Sequence, residues 1–173
     1  MTRETLANSD RPLAVPVRAV SVEALLADGS RMAGRIFLRG AEAGKGQETI
    51  QGRLNDPERF FPFERGEPVG GCLLQKGMLA AVAAPETMVA AVAAPERLGR
   101  TGEPHRVRVK LVGGETLNGR VWVEGPSHRA RLVDYLNDAA GPFFPLETEG
   151  RTWYVNRDLV QLVVSLGTNG QAR

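Results

Sequence analysis

One stretch of this chain is written twice, and that duplication constrains the fold more than any other feature. VSVEALLADGSRMAGRIFLRG from Val20 aligns with RVRVKLVGGETLNGRVWVEG from Arg106, placing Gly29 over Gly114, Gly34 over Gly119 and Arg35 over Arg120. Downstream, RLNDPERFFPFE from Arg53 lies over YLNDAAGPFFPLE from Tyr135. Leu54, Asn55 and Asp56 then match Leu136, Asn137 and Asp138, and Phe60, Phe61, Pro62 and Glu64 match Phe143, Phe144, Pro145 and Glu147. Finally, CLLQKGMLAAVA from Cys72 pairs with WYVNRDLVQLVV from Trp153. Similarity that survives several length changes implies two copies of one supersecondary unit.

The pattern inside each copy is that of short strands. Val107, Val109 and Leu111 alternate with Arg106, Arg108 and Lys110, the period of a half-buried strand. Gly113-Gly114, like Asp28-Gly29 in the first copy, suits a two-residue hairpin with positive φ at both central residues. The return strand turns Leu117, Val121 and Val123 inward, as Met32, Ile36 and Leu38 are turned in the first copy. A short helical turn follows, from the four-residue spacing of Ile50 and Leu54 and of Leu132 and Leu136, the second capped by Ser127. The Phe-Phe-Pro strand comes next, its proline arguing for a sheet edge or a bulge. Two more strands complete a β-β-α-β-β-β unit.

Five short, bent antiparallel strands bury a core most readily by closing into a small barrel. The expectation is a mainly β chain of two tandem five-stranded barrels, each with one short helical turn. The hairpins Val22 to Leu38 and Val107 to Val123 resemble the first motif of the Sm-like family of SH3-like barrels, and Leu73-Leu74-Gln75-Lys76-Gly77-Met78-Leu79 resembles its second. The second copy departs from that motif, carrying Asn156, Arg157 and Asp158 where the family has a basic-Gly turn. The resemblance implies a ring-forming barrel that grips single-stranded RNA, with Lys76, Gly77 and Arg157 as its nucleic-acid contacts.

The expected boundaries are a flexible tail at 1–16, a first barrel at 17–84, an Ala/Pro-rich linker at 85–103, a second barrel at 104–165 and a flexible tail at 166–173. The linker region holds a smaller duplication, AAVAAPE, starting at Ala80 and again at Ala90. Charge argues against a nucleic-acid platform: 22 Lys and Arg face 20 Asp and Glu, and neither copy holds a basic block. One cysteine, Cys72, excludes an intramolecular disulfide and zinc sites built on paired cysteines, which suits a reducing, cytoplasmic setting. No signal peptide or membrane span is read.

No catalytic, cofactor-binding or metal-binding constellation emerges, and no small-molecule substrate is evident. Cys72 aligns with Trp153 and reads as a buried structural residue, while His105 and His128 read as solvated loop residues without metal-ligand neighbours. Gly40, Gly44 and Gly46 lack the Gly-Lys-Ser/Thr ending of a phosphate loop. The expected function is a non-enzymatic adaptor or scaffold that binds a protein partner or itself, with RNA binding as the alternative. Phe37 and Trp122 share one outward-parity position and are candidate interaction residues, unless the helical turn folds over and buries them. Of each pair Phe60-Phe61 and Phe143-Phe144, one ring points inward and one outward, toward a partner or the other barrel. The pairs Asn55-Asp56 and Asn137-Asp138 read as turn-makers. The last strands, Leu79 to Ala83 and Leu159 to Val164, lack proline and read as edges to be covered by the other barrel or by another molecule.

Overall fold

The structure, a computed structural model, describes residues 17–40, 47–66, 70–85, 102–123, 131–137 and 141–167. The first half supplies β1 (Val17–Leu26), β2 (Arg31–Arg39), α1 (Ile50–Asn55), β3 (Phe60–Arg65), β4 (Gly70–Gln75) and β5 (Leu79–Pro85), with a 3-10 turn at Lys76–Met78. The second supplies β6 (Glu103–Leu111), β7 (Thr116–Val123), α2 (Leu132–Asn137), β8 (Phe143–Thr148), β9 (Arg151–Asn156) and β10 (Val160–Ser165), with a 3-10 turn at Arg157–Leu159. Both halves therefore have the β-β-α-β-β-β order read from the sequence. The proposed cap Ser127, the linker from 86 to 101, His128, Asp138, Gly44, Gly46, the second AAVAAPE and most of both tails lie outside the described residues.

Closure into two separate barrels is not seen. All ten strands lie in one open sheet, in the order β10-β6-β7-β8-β9-β5-β1-β2-β3-β4. The reason is the use made of β5, which carries β1 on one edge and β9 on the other. The edge with which the first repeat would close on its own β4 is thereby taken by the second repeat.

The packing of β5 explains its composition. Every residue from Leu79 to Ala84 is buried, with Leu79, Val82 and Ala84 in one core cluster and Ala80, Ala81 and Ala83 in the other. Small side chains are needed because large ones crowd in from both sides. Phe61, Phe63, Phe143 and Tyr154 fill the first cluster, and Phe144, Trp153 and Leu25 the second. The two cores thus exchange residues: Phe143 and Tyr154 of the second repeat enter the first core, and Leu25 of the first enters the second.

The hairpin turns differ from expectation in one residue. Leu26 N donates to Ser30 O at 2.8 Å and Gly29 N to Leu26 O at 3.0 Å, which makes a three-residue loop. Leu111, Glu115 and Gly114 repeat it. Such a loop needs only one left-handed residue, supplied by Gly29 (φ 85) and Gly114 (φ 89). Gly113 is required for space instead, since a Cβ there would lie 2.7 Å from Gly29 N in the turn of the other repeat.

The Phe-Phe-Pro strands are interior in the sheet order rather than edges. Pro62 is tolerated because β2 pairs only with Phe63, Glu64 and Arg65, and Pro145 because β7 pairs β8 only at Arg120 and Glu147. The missing proline donors therefore face no ladder. At that crossing, a Cβ on Gly34 would sit 2.3 Å from Glu64 O, and one on Gly119 2.3 Å from Glu147 O. Gly34→Ala and Gly119→Ala are each expected to lower stability to urea by about 2–4 kcal/mol, whereas Gly77→Ala, with no atom within 4 Å of its added Cβ, should stay within about 0.5 kcal/mol.

Candidate interaction surface

Phe37 and Trp122 are half-buried on the face of the sheet opposite the core residues that flank them, so the helical turns do not cover them. Each lines a cleft at an equivalent place in its repeat. The first, about 440 Å³, runs between Phe37, Pro62, Phe63, Glu64 and the strand Gly70 to Leu73. The second, about 380 Å³, is walled by Arg120, Trp122, Glu147 and the segment Thr148 to Thr152. The first is mostly apolar and the second mostly polar, so duplication has kept the shape and changed the chemistry. Trp122 Nε1 lies buried with no acceptor among the described residues.

The phenylalanine pairs divide as strand parity requires in the first repeat, where Phe60 is exposed and Phe61 buried. In the second repeat both rings are buried, because the outward one, Phe143, enters the core of the first repeat while Phe144 stays in its own. The outward ring of the second copy is thus an internal interface residue. Among the described residues Phe60 has no such cover.

Lys76 does not sit in a solvated turn. It is buried, and its Nζ donates to the carboxylate of Asp56 and, at 3.0 Å, to the Asp56 carbonyl. Arg53, also buried, donates Nη1 to Asp56 Oδ2 at 2.7 Å and to Glu58 Oε2 at 2.9 Å. Burial by itself would raise the Asp56 carboxyl, but the hydrogen bond and charge of Lys76, with the charge of Arg53, outweigh it and hold the group below the ordinary carboxylate value. Arg157 is engaged as well. Its guanidinium lies 5.6 Å from the Tyr135 ring centroid and 5.3 Å from that of Phe144, and it donates to the carbonyl of Gly141. Gly77 lies between Lys76 and Met78 in the 3-10 turn with open space around it.

Asp56 makes the expected turn through its side chain, whereas Asn55 serves the structure in a different way. No described non-glycine residue has positive φ, so neither is a left-handed turn-maker. Asp56 Oδ1 accepts from Glu58 N at 3.0 Å, and Asn55 pairs its amide with the backbone of the other repeat. Its Nδ2 donates to Phe143 O at 3.0 Å, and its Oδ1 accepts from Phe143 N at 2.8 Å. A second clip, missed in the sequence, is the buried Asn156, whose Nδ2 donates to Leu79 O at 3.0 Å and Lys76 O at 3.3 Å. On the outside, Arg31 with Glu115 at 2.6 Å and Arg151 with Glu23 at 2.9 Å also join the repeats. For Asn156 the one sequence signal is the mismatch between copies, since it stands where the first copy has Gln75.

Cys72 is half-buried on β4, packed against the first core and lining the apolar cleft, and His105 lies within β6 opposite Val121 rather than in a loop. Both outer strands of the sheet are open among the described residues. β4 pairs only with β3 and exposes Leu73, and β10 pairs only with β6 and exposes Leu162 and Val164. No described group of His, Cys, Asp or Glu is placed to hold a metal ion, and no described helix is long and apolar enough to cross a membrane.

No protein-family model matches this chain, and no curated protein or solved structure is significantly similar to it. Sheet edges and clefts, then, are what the chain offers for chemical interpretation.

Two measurements check this account of the joint. Asn55→Ala should lower unfolding free energy by about 1–3 kcal/mol in urea titration, because it leaves the Phe143 peptide without partners. Because Asp56 is depressed in the folded state, its contribution is complete above about pH 4, the unfolded value, and is lost as pH falls through the folded one. The melting temperature of the native chain should therefore drop more steeply below about pH 4 than that of Asp56→Asn, which has already lost the charge.

Proposed function

We propose that the chain is a non-enzymatic protein–protein interaction module, an adaptor or scaffold that takes up partners by strand addition at its open sheet edges. The observation that carries this reading is the pair of edges left unpaired among the described residues. β4 (GGCLLQ) and β10 (VQLVVS) contain no charge and no proline, the usual devices that keep an edge from pairing. An extended segment laid on such an edge satisfies the open backbone groups, and the cleft of Phe37 beside β4 offers an apolar seat for one of its side chains.

The charged residues expected to contact nucleic acid have partners within the chain. Lys76 is committed to Asp56, Arg157 is stacked on Tyr135 and Phe144, and Gly77 alone offers no charge. Phosphate contacts need free cations in a cluster.

Capture from a lysate of the native cells tests the module. Proteins retained by the wild-type chain should be lost with Leu73→Arg or Leu162→Arg, both exposed positions, and should survive nuclease treatment. Equal capture by the edge variants, or capture that disappears with nuclease, would count against strand addition.

A further inference from the structure

The joint inside the chain shows what the free edges are shaped to receive. Strand β5 of the first repeat pairs with β9 of the second, with Ala81, Val82, Ala83, Ala84 and Pro85 facing Val155, Tyr154, Trp153, Thr152 and Arg151. In the duplication, β10 is the counterpart of β5 and β4 is the counterpart of β9. These are the two strands left open at the ends of the sheet. We propose that a second copy of this chain docks its β4 on β10, repeating the internal joint between molecules. This rests on the reading of the edges as binding surfaces and names their partner.

The register follows from the internal one. Leu162 would face Leu74 of the second copy, Val163 its Leu73, Val164 its Cys72, Ser165 its Gly71 and Leu166 its Gly70. Side-chain size supports this pairing over the alternatives. Inside the chain, small residues on β5 oppose large ones on β9, as Ala83 opposes Trp153. At the open edges the sizes are exchanged over part of the seam: Val164 of β10 and Leu166 just after it would oppose Cys72 and Gly70 of β4, while Leu162 and Val163 would meet Leu74 and Leu73. Pairing β10 with a second β10 would set large residues against large ones, and β4 with β4 would leave a poorly filled seam.

Burial identifies the same missing neighbour. Tyr154 is buried at 1% relative exposure in the core of the other repeat, while its counterpart Leu73 is exposed at 69%. Phe143 is buried in the same way and its counterpart Phe60 is exposed. On the other side, Ile50 and Leu54 of α1 are buried in the cluster that Phe143 and Tyr154 of the second repeat enter, whereas Leu132 and Leu136 of α2 are only partly buried. Asn55 holds the Phe143 backbone, and its counterpart Asn137 is exposed, at the place where the backbone of Phe60 from a second copy would arrive. One contact is not carried over. The counterpart of Gly113 is Asp28, whose Cβ would not fit the tight approach of the two turns, so adjacent molecules meet at a slightly different angle from adjacent repeats. The pairing is head-to-tail, and each added copy presents a new β10 or β4. Its product is a closed ring or a filament, according to the rotation per step.

Complementing edge variants tests this. At micromolar concentration the wild type should show masses that are multiples of 18.7 kDa by light scattering. Leu162→Arg and Leu73→Arg should each be monomeric, and an equimolar mixture of the two should give dimers and nothing larger, since only one good β10 and one good β4 remain. Register is read by oxidising Val164→Cys with copper phenanthroline. Disulfides to Cys72 should link chains into a ladder on a non-reducing gel, because directly opposed residues lie within disulfide reach. Val163→Cys, facing the other side of the strand, should not cross-link. Monomeric wild type at all concentrations, no dimers on mixing, or equal cross-linking of Val164→Cys when Cys72 is replaced by Ser would each overturn the proposal. If wild type is monomeric but edge variants lose captured proteins, self-pairing fails while the interaction module stands.

Discussion

Strand β5 is buried on both faces and hydrogen-bonded on both edges, and the rest of the molecule is arranged around that fact. A strand in this position has no side open to water, so its residues must be apolar. It also separates two cores that are each filled with aromatic rings, so they must be small. Ala80, Ala81, Ala83 and Ala84 meet both demands, and the rings of Phe143 and Tyr154 cross to the first core in the space this leaves. Because β5 spends its second edge on β9, neither repeat closes on itself, and the open ends of the sheet follow.

Polar groups set the geometry of this joint where apolar packing alone would allow slippage. Asn55 grips the peptide of Phe143 from one side and Asn156 grips the carbonyls of Lys76 and Leu79 from the other. Each bond is directional, and those of Asn156 are fully buried, where an unmet partner is costly. The buried ion pair of Lys76 with Asp56, joined by Arg53, fixes the end of α1 on which Asn55 is mounted. Removing Asp56 would leave the buried Lys76 charge uncompensated, so the cluster specifies an arrangement more than it adds stability.

The functional reading comes from the difference between otherwise matching halves. Surfaces buried on one repeat by the other have counterparts that remain exposed and apolar at the far ends, on β4, on β10 and at Phe60. Duplication accounts for both: the chain carries two joint surfaces of each kind and uses one of each internally. The clefts of Phe37 and Trp122 have diverged in polarity, so the two halves no longer present the same chemistry to a ligand even where their backbones correspond.

Element order was legible because its signals are local: alternation in Val107, Val109 and Leu111, a glycine where each hairpin turns, and the four-residue spacing of Ile50 and Leu54. The outward position of Phe37 and Trp122 followed from strand parity for the same reason. Closure was not legible, since sheet edges pair through backbone groups that every residue carries, and nothing local tells β5 to take β9 rather than its own β4. Lys76 shows the same limit at one residue, for Lys-Gly reads as an exposed turn until Asp56, 20 positions earlier, is brought against it by the fold. What the sequence determined alone was the repeated unit, its strands and its inward faces. Only the tertiary structure decided which edges were spent within the molecule, because that choice depends on the summed packing of two cores across a shared strand.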